Sequence, residues 1–133
     1  EDIFPLIDYF TPNETEAGFY VNHKVENEED AKKASQQLLQ RGIKNVIITL
    51  GDKGAYFANN EESFHVNAMN LGEKVVDTTG AGDAFNAGFA VALTEGKNIK
   101  DSIAFANTTA GLSTTKIGTA NSMPLRSEID KLL

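Results

Sequence analysis

Val46-Ile47-Ile48-Thr49-Leu50 runs on without the polar alternation of a strand that keeps one face in water. A β-branched run of this kind suits a central strand of a parallel sheet, which helices cover on both faces. The segments around it fit that setting. Ala31, Ala34, Leu38 and Leu39 recur at helical spacing behind a capping Asn27, and Gly42 closes that helix. Ile3 to Phe10 is mostly apolar and reads as a buried strand ending at Thr11-Pro12. Asn13 caps a short helix over Glu14 to Phe19 with acidic residues in its first turn. Ala55 to Ala58 and Ser63 to Val66 alternate about Asn59-Asn60, which predicts a hairpin. Val75 and Val76 read as a short strand, followed by helices over Ala84 to Thr94, ended by Gly96, then Ile99 to Thr114 and Arg126 to Leu133. The alternation predicts an α/β fold, layered α/β/α with a mainly parallel sheet. No internal repeat or linker is evident.

Ligands of such sheets bind beyond the carboxyl ends of the strands. Asn13, Gly51 and Gly80 each follow an expected strand, so three loops are expected to converge on one site. The most telling is Val76-Asp77-Thr78-Thr79-Gly80-Ala81-Gly82-Asp83-Ala84-Phe85. Glycines let a backbone approach a ligand closely, and the free N–H groups of a helix start favour an anion. Asp83 adds a carboxylate able to accept a proton. An anion cradle beside a base is what phosphoryl transfer to an alcohol requires. The structural alternatives are close helix–strand packing at the glycines and an aspartate that only favours the helix dipole. A dinucleotide turn would carry a third glycine, and a phosphate loop of the Walker type would end in Gly-Lys-Ser/Thr; neither is present.

Asp77 to Phe89 resembles the C-terminal signature of the ribokinase family of sugar kinases. Thr11-Pro12-Asn13-Glu14-Thr15-Glu16-Ala17, Ile48-Thr49-Leu50-Gly51-Asp52-Lys53-Gly54 and Lys116 to Pro124 resemble further segments of it in order and spacing. The resemblance runs over essentially the whole chain but only over the C-terminal part of the family's domain. It therefore implies that residues 1–133 are the ATP-binding and catalytic portion, with the N-terminal half and its lid absent; Glu1 as first residue fits such a piece.

The implied reaction moves the ATP γ-phosphoryl group to the 5-hydroxymethyl of D-ribose. Fructose, a keto-deoxy sugar acid or a nucleoside are the rival acceptors, and a nucleotide-binding piece without turnover is the rival role. Asp83 becomes the base that contacts the sugar hydroxyl, with Gly80, Ala81 and Gly82 as the anion hole. Asn13, Thr49, Leu50, Gly51, Asp52, Lys53, Gly54, Gly82 and Asn107 would line the nucleotide. Glu16 would act on magnesium through water. Asp77, Thr79, Ser113, Lys116, Gly118 and Ser122 would ligate a monovalent cation, potassium in the family. For Asn13 and Glu16 a plain helix cap explains the same residue types. Gly51 to Gly54 can be an ordinary turn, and the Asn107 amide can serve packing.

Composition bounds the rest. A length of 133 residues with 41% hydrophobic content suits a globular core. The net charge of −7 argues against nucleic acid and anionic membrane as partners. Absence of cysteine excludes disulfides and thiolate metal sites and suits a cytoplasmic protein. No membrane span or signal peptide is legible. The full-length parent is expected to bind ATP and a small sugar, as a possible homodimer. His23 and His65 lack ligand-like spacing and read as solvated or packed, and Glu26 to Asp30 as a solvated helix start.

Overall fold

A computed structural model describes residues 3–69 and 72–133, and the chain divides into two compact units, Glu1–Val66 and Asn67–Leu133. In the first, the apolar run becomes β2 (Asn45–Thr49), whose Val46, Ile47 and Ile48 are wholly buried. It lies between β1 (Tyr9–Phe10) and β3 (Ala55–Ala58), and β4 (Ser63–Val66) completes a sheet of order β1-β2-β3-β4. β2 runs parallel to β1, with Tyr9 opposite Asn45, and antiparallel to β3, with Ile47 opposite Phe57. The α/β class holds, but the sheet within this chain is mixed. Its parallel character ends at β2 because β3 and β4 are joined by short turns, which force antiparallel pairing.

The expected hairpin is present. Asn59 turns it, its Oδ1 accepting the Glu61 and Glu62 N–H groups at 2.8 Å each. The expected long first strand is not. Pro5 opens a 3-10 turn over Phe4–Leu6, which leaves only Tyr9 and Phe10 extended enough to pair.

α1 (Glu14–Val21) and α2 (Glu28–Gln40) pack together, and α2 also packs on β2 and β3. Ala31, Ala34 and Leu38 form the buried stripe of α2 and join Val46, Ile48, Tyr56 and Ala58 in the core. Gly42 turns the chain out of α2 at φ 98°, a left-handed conformation, and a Cβ there would meet Pro5 Cγ at 3.0 Å.

The second unit is helical among its described residues. α3 (Ala81–Thr94) packs along α4 (Ile99–Ser113), and α5 (Arg126–Ile129) closes on α4. The approach of α3 to α4 is close at Gly88, where a Cβ would lie 2.7 Å from Thr109 Oγ1 and 3.1 Å from Ala106 Cα. Arg126 sits over the Phe105 ring, pairs with Glu95 and reaches Asp130 Oδ1 at 2.7 Å. Val75 and Val76 do not form the expected strand. A strand needs a ladder partner, and the N–H groups of Val76 and Asp77 instead donate to one acceptor, the Thr114 carbonyl, at 2.8 and 3.1 Å. Both valines are exposed, at 49% and 59%. Among the described residues no helix is long and apolar enough to cross a membrane.

Candidate functional site

In the first unit the β1–α1 and β2–β3 connections meet. Thr49 N–H donates to the Pro12 carbonyl at 3.0 Å, and Asn13 and Thr49 form a parallel bridge just past the two strands. Asn13 caps α1: its Oδ1 accepts the Glu16 N–H at 2.9 Å, and Glu16 Oε2 accepts the Asn13 N–H at 3.0 Å. The reciprocal capping box therefore exists. It uses one oxygen of each side chain, and both residues are exposed.

Leu50 is buried and anchors the following turn. Its N–H donates to the Gly54 carbonyl at 2.7 Å, and Gly51 to Lys53 form one 3-10 turn. Gly51 and Gly54 have φ of 56° and 102°, so the turn rests on glycine at both ends. Asp52 is exposed. Lys53 is tied back, its Nζ donating to the Glu26 carbonyl at 2.9 Å, so the turn offers a ligand its backbone and the Asp52 side chain.

In the second unit Asp77 organises the glycine turn. Its Oδ1 accepts the Thr79 N–H at 2.9 Å and its Oδ2 the Gly118 N–H at 3.0 Å, which joins the turn to the loop that follows α4. The Thr79 hydroxyl, then the Gly118 and Thr79 N–H groups, push its carboxyl down to about 2. Gly80 follows at φ 79°, where its backbone faces Thr119; a Cβ would come 3.1 Å from Thr119 Cγ2. Gly80 is thus required by the turn itself. Gly82 is different, since a Cβ there would meet nothing within 4 Å. Among the described residues no packing contact explains Gly82, and the close helix–strand contact weighed from the sequence is not seen there.

Helix starts sharpen the contrast. α1, α2 and α4 begin on Asn13, Asn27 and Asn98, each accepting an N–H from the third helical residue at 2.9 to 3.0 Å. α3 begins on Gly80 with no side-chain cap. The Ala81 N–H turns back to the Thr78 carbonyl at 3.2 Å, and the N–H groups of Gly82 and Asp83 have no acceptor among the described residues. Asp83 stands exposed in this first turn. Open donors, a dipole end and an adjacent carboxylate can hold an anion and take a proton beside it.

The later loop supplies oxygen. Ser113 and Ser122 are buried, their hydroxyls donating to Ala110 and Thr119 carbonyls at 2.7 and 2.6 Å, which leaves lone pairs on both oxygens. Lys116 sends its amine to Glu128 at 3.4 Å, so only its carbonyl remains to ligate. Of the expected cation ligands Asp77, Thr79, Ser113, Lys116, Gly118 and Ser122, the structure joins Thr79 and Gly118 to Asp77 by direct hydrogen bonds, and the set as a whole offers only oxygen to a cation. Among the described residues no group of three or more His, Cys, Asp or Glu side chains is placed to hold a metal. Asn107 is buried on α4, and its amide donates to the Asn67 carbonyl at 3.2 Å. Sequence reasoning missed Thr114 and Thr119, which hold the strap before the glycine turn and the turn itself. Both act through a carbonyl or a methyl contact, and no local motif announces such roles.

Residues 1–126 match the family described as pfkB family carbohydrate kinase. Ribokinase of Haemophilus influenzae is 39% identical over 128 residues, 96% of this chain and 41% of that protein. The crystal structure of ribokinase from Thermotoga maritima is 40% identical with a TM-score of 0.87 over 98% of this chain and 43% of its own. Arabidopsis thaliana ribokinase, complexed with ribose and ATP, superposes with a TM-score of 0.92 at 36% identity over 98% of this chain and 42% of its own. The chain spans about two fifths of the length of the relatives it matches.

Proposed function

The chain belongs to the pfkB family of carbohydrate kinases, and on that premise we propose that it is the ATP-binding and catalytic portion of a kinase that phosphorylates D-ribose at its 5-hydroxymethyl group. The uncapped start of α3, with Asp83 in its first turn and open space above Gly82, carries the reading. In the reaction Asp83 takes the hydroxymethyl proton as that oxygen bonds to the γ-phosphorus. The bond from the γ-phosphorus to the β,γ-bridging oxygen breaks, and ADP leaves. The N–H groups of Gly82 and Asp83, in the turn made by Gly80 and Ala81, meet the charge that grows on the transferring oxygens. The Asn13 amide and the Thr49–Gly54 turn serve the nucleotide, with Asn107 on the base side.

Glu16 Oε1 is free to meet magnesium through water, in keeping with an ion that gives up its hydration reluctantly. The Asp77 donor set would hold potassium, whose charge would steady the glycine turn. Ribose as acceptor is supported by the ribokinase relatives. Cytoplasmic location and a homodimeric parent belong to the same reading.

The test is ATP γ-phosphoryl transfer by the parent protein to ribose, fructose, keto-deoxygluconate and adenosine, with magnesium and with or without potassium. Preferred transfer to ribose, stimulated by potassium, is the expected result. Transfer to another acceptor overturns the substrate. No transfer to any of them favours a nucleotide-binding piece without turnover, a reading that the two-fifths coverage also supports.

A further inference from the structure

His65 lies on β4 opposite Tyr56 and is only 21% exposed. Its Nδ1 is 2.9 Å from Glu28 Oε2, at the start of α2, and its Nε2 is 2.7 Å from the carbonyl oxygen of Lys53. A carbonyl only accepts, and so does an ionised carboxylate. A neutral imidazole has one N–H, so it can satisfy one of these contacts and must turn a lone pair on the other. Only a ring with protons on both nitrogens makes both bonds at once.

The charged and titratable groups on the surrounding elements are Glu28, Glu29 and Lys32 of α2, Asp52 and Lys53 of the turn, and Tyr56 of β3. Lys53 directs its amine to the Glu26 carbonyl, and Glu29 lies 3.8 Å from Lys33. Glu28 is therefore the carboxylate placed to balance a charged ring.

We propose that His65, doubly protonated, is a positioning residue that clamps the Gly51–Lys53 turn to the start of α2, and that loss of one ring proton loosens the turn. The proposal rests on the reading of that turn as the nucleotide loop. Whichever nitrogen keeps its proton, one contact becomes lone pair against lone pair, and the tie from helix to turn opens. Nucleotide then meets a less ordered backbone, so affinity is lower with the singly protonated ring than with the doubly protonated one. The groups that make the clamp lie outside the proposed catalytic and cation sets.

The experiment follows the His65 ring nitrogens by NMR from pH 5.5 to 8.5 and reads amide exchange protection at Lys53 and Gly54. Those amides bond Leu50 and Gly51 carbonyls at 3.0 and 3.2 Å within the turn. Protection, corrected for intrinsic exchange, should drop about fivefold where the NMR signals show the ring holding a single proton, the scale of a charge-assisted bond shared with solvent. Glu28→Gln should abolish that dependence, because a carboxamide can donate to the bare Nδ1 and keep the neutral ring clamped. Flat protection in the wild-type chain, or a Glu28→Gln variant with the wild-type pH profile, overturns the clamp. ATP affinity measured at both ends of the range separates the two readings. Changing protection with unchanging affinity overturns the positioning role and the nucleotide assignment of the turn, while the clamp itself stands.

Discussion

Asp83 and Asp77 are two carboxylates six positions apart with opposite surroundings. Asp83 is exposed in the first turn of α3, while both oxygens of Asp77 are occupied by N–H groups of its own turn and of Gly118. In the parent kinase Asp83→Asn should lower kcat by about 10²- to 10⁴-fold, the range for loss of a general base. ATP affinity, by titration calorimetry, should stay nearly unchanged. An active variant would remove Asp83 as the base. Asp77 makes a pH prediction. Its carboxyl, at about 2, lies below the ordinary 3.8, so the fold holds the ionised form. Its contribution is complete above the unfolded value and is lost as pH falls from about 3.8 through about 2. Urea unfolding between pH 5 and pH 2 should show that loss in the wild-type chain and a flatter profile in Asp77→Asn. Both aspartates are named by the motif in the sequence as candidates. The resemblance put Gly118 in one set with Asp77, but the direct bond from the Gly118 N–H to the Asp77 carboxylate, across 41 positions, has no local sequence signal.

At the scale of elements, the hairpin strands and most helices were legible, while the first strand is shorter than expected and the last helix stops at Ile129 instead of running to Leu133. Asn13 and Asn27 announce helix starts in the sequence and make the expected bonds, because a cap is a contact over three residues. Val75 and Val76 have the side chains of a strand, but pairing is decided by a partner, and the Thr114 carbonyl takes their segment instead. The end of α3 at Thr94 was legible, although the helix begins at Ala81 rather than the expected Ala84; the fit of Gly88 between Ala106 and Thr109 was not, since small residues suit any tight crossing. Gly88→Ala should therefore destabilise the second unit by about 1–3 kcal/mol through overpacking, although alanine favours helix. Leu38→Ala, a cavity in the first unit's core, should cost about 2–5 kcal/mol. Chemical denaturation midpoints measure both.

For the whole molecule, the class of fold could be read from alternating segments, and the division into two units could not. Periodicity reports which face of an element is buried but not which other element buries it. The chain spans 41% of one ribokinase relative and 43% of another, so most of such a protein's length is outside the match. The chain on its own is accordingly expected to release no ribose 5-phosphate from ATP and ribose in a coupled assay, whereas under the proposed function the parent protein is expected to do so. Turnover by the isolated chain would show that these residues suffice.

Thr114 closes α4 and offers its carbonyl to two donors, Val76 and Asp77. An amide oxygen with both lone pairs engaged vibrates at lower frequency than one with a single donor, and a ¹³C=¹⁸O label separates that band from the rest of the backbone. This peptide group is therefore a built-in infrared reporter. Its band shift records, on the timescale of bond vibration, whether the segment that leads into the glycine turn is docked or detached.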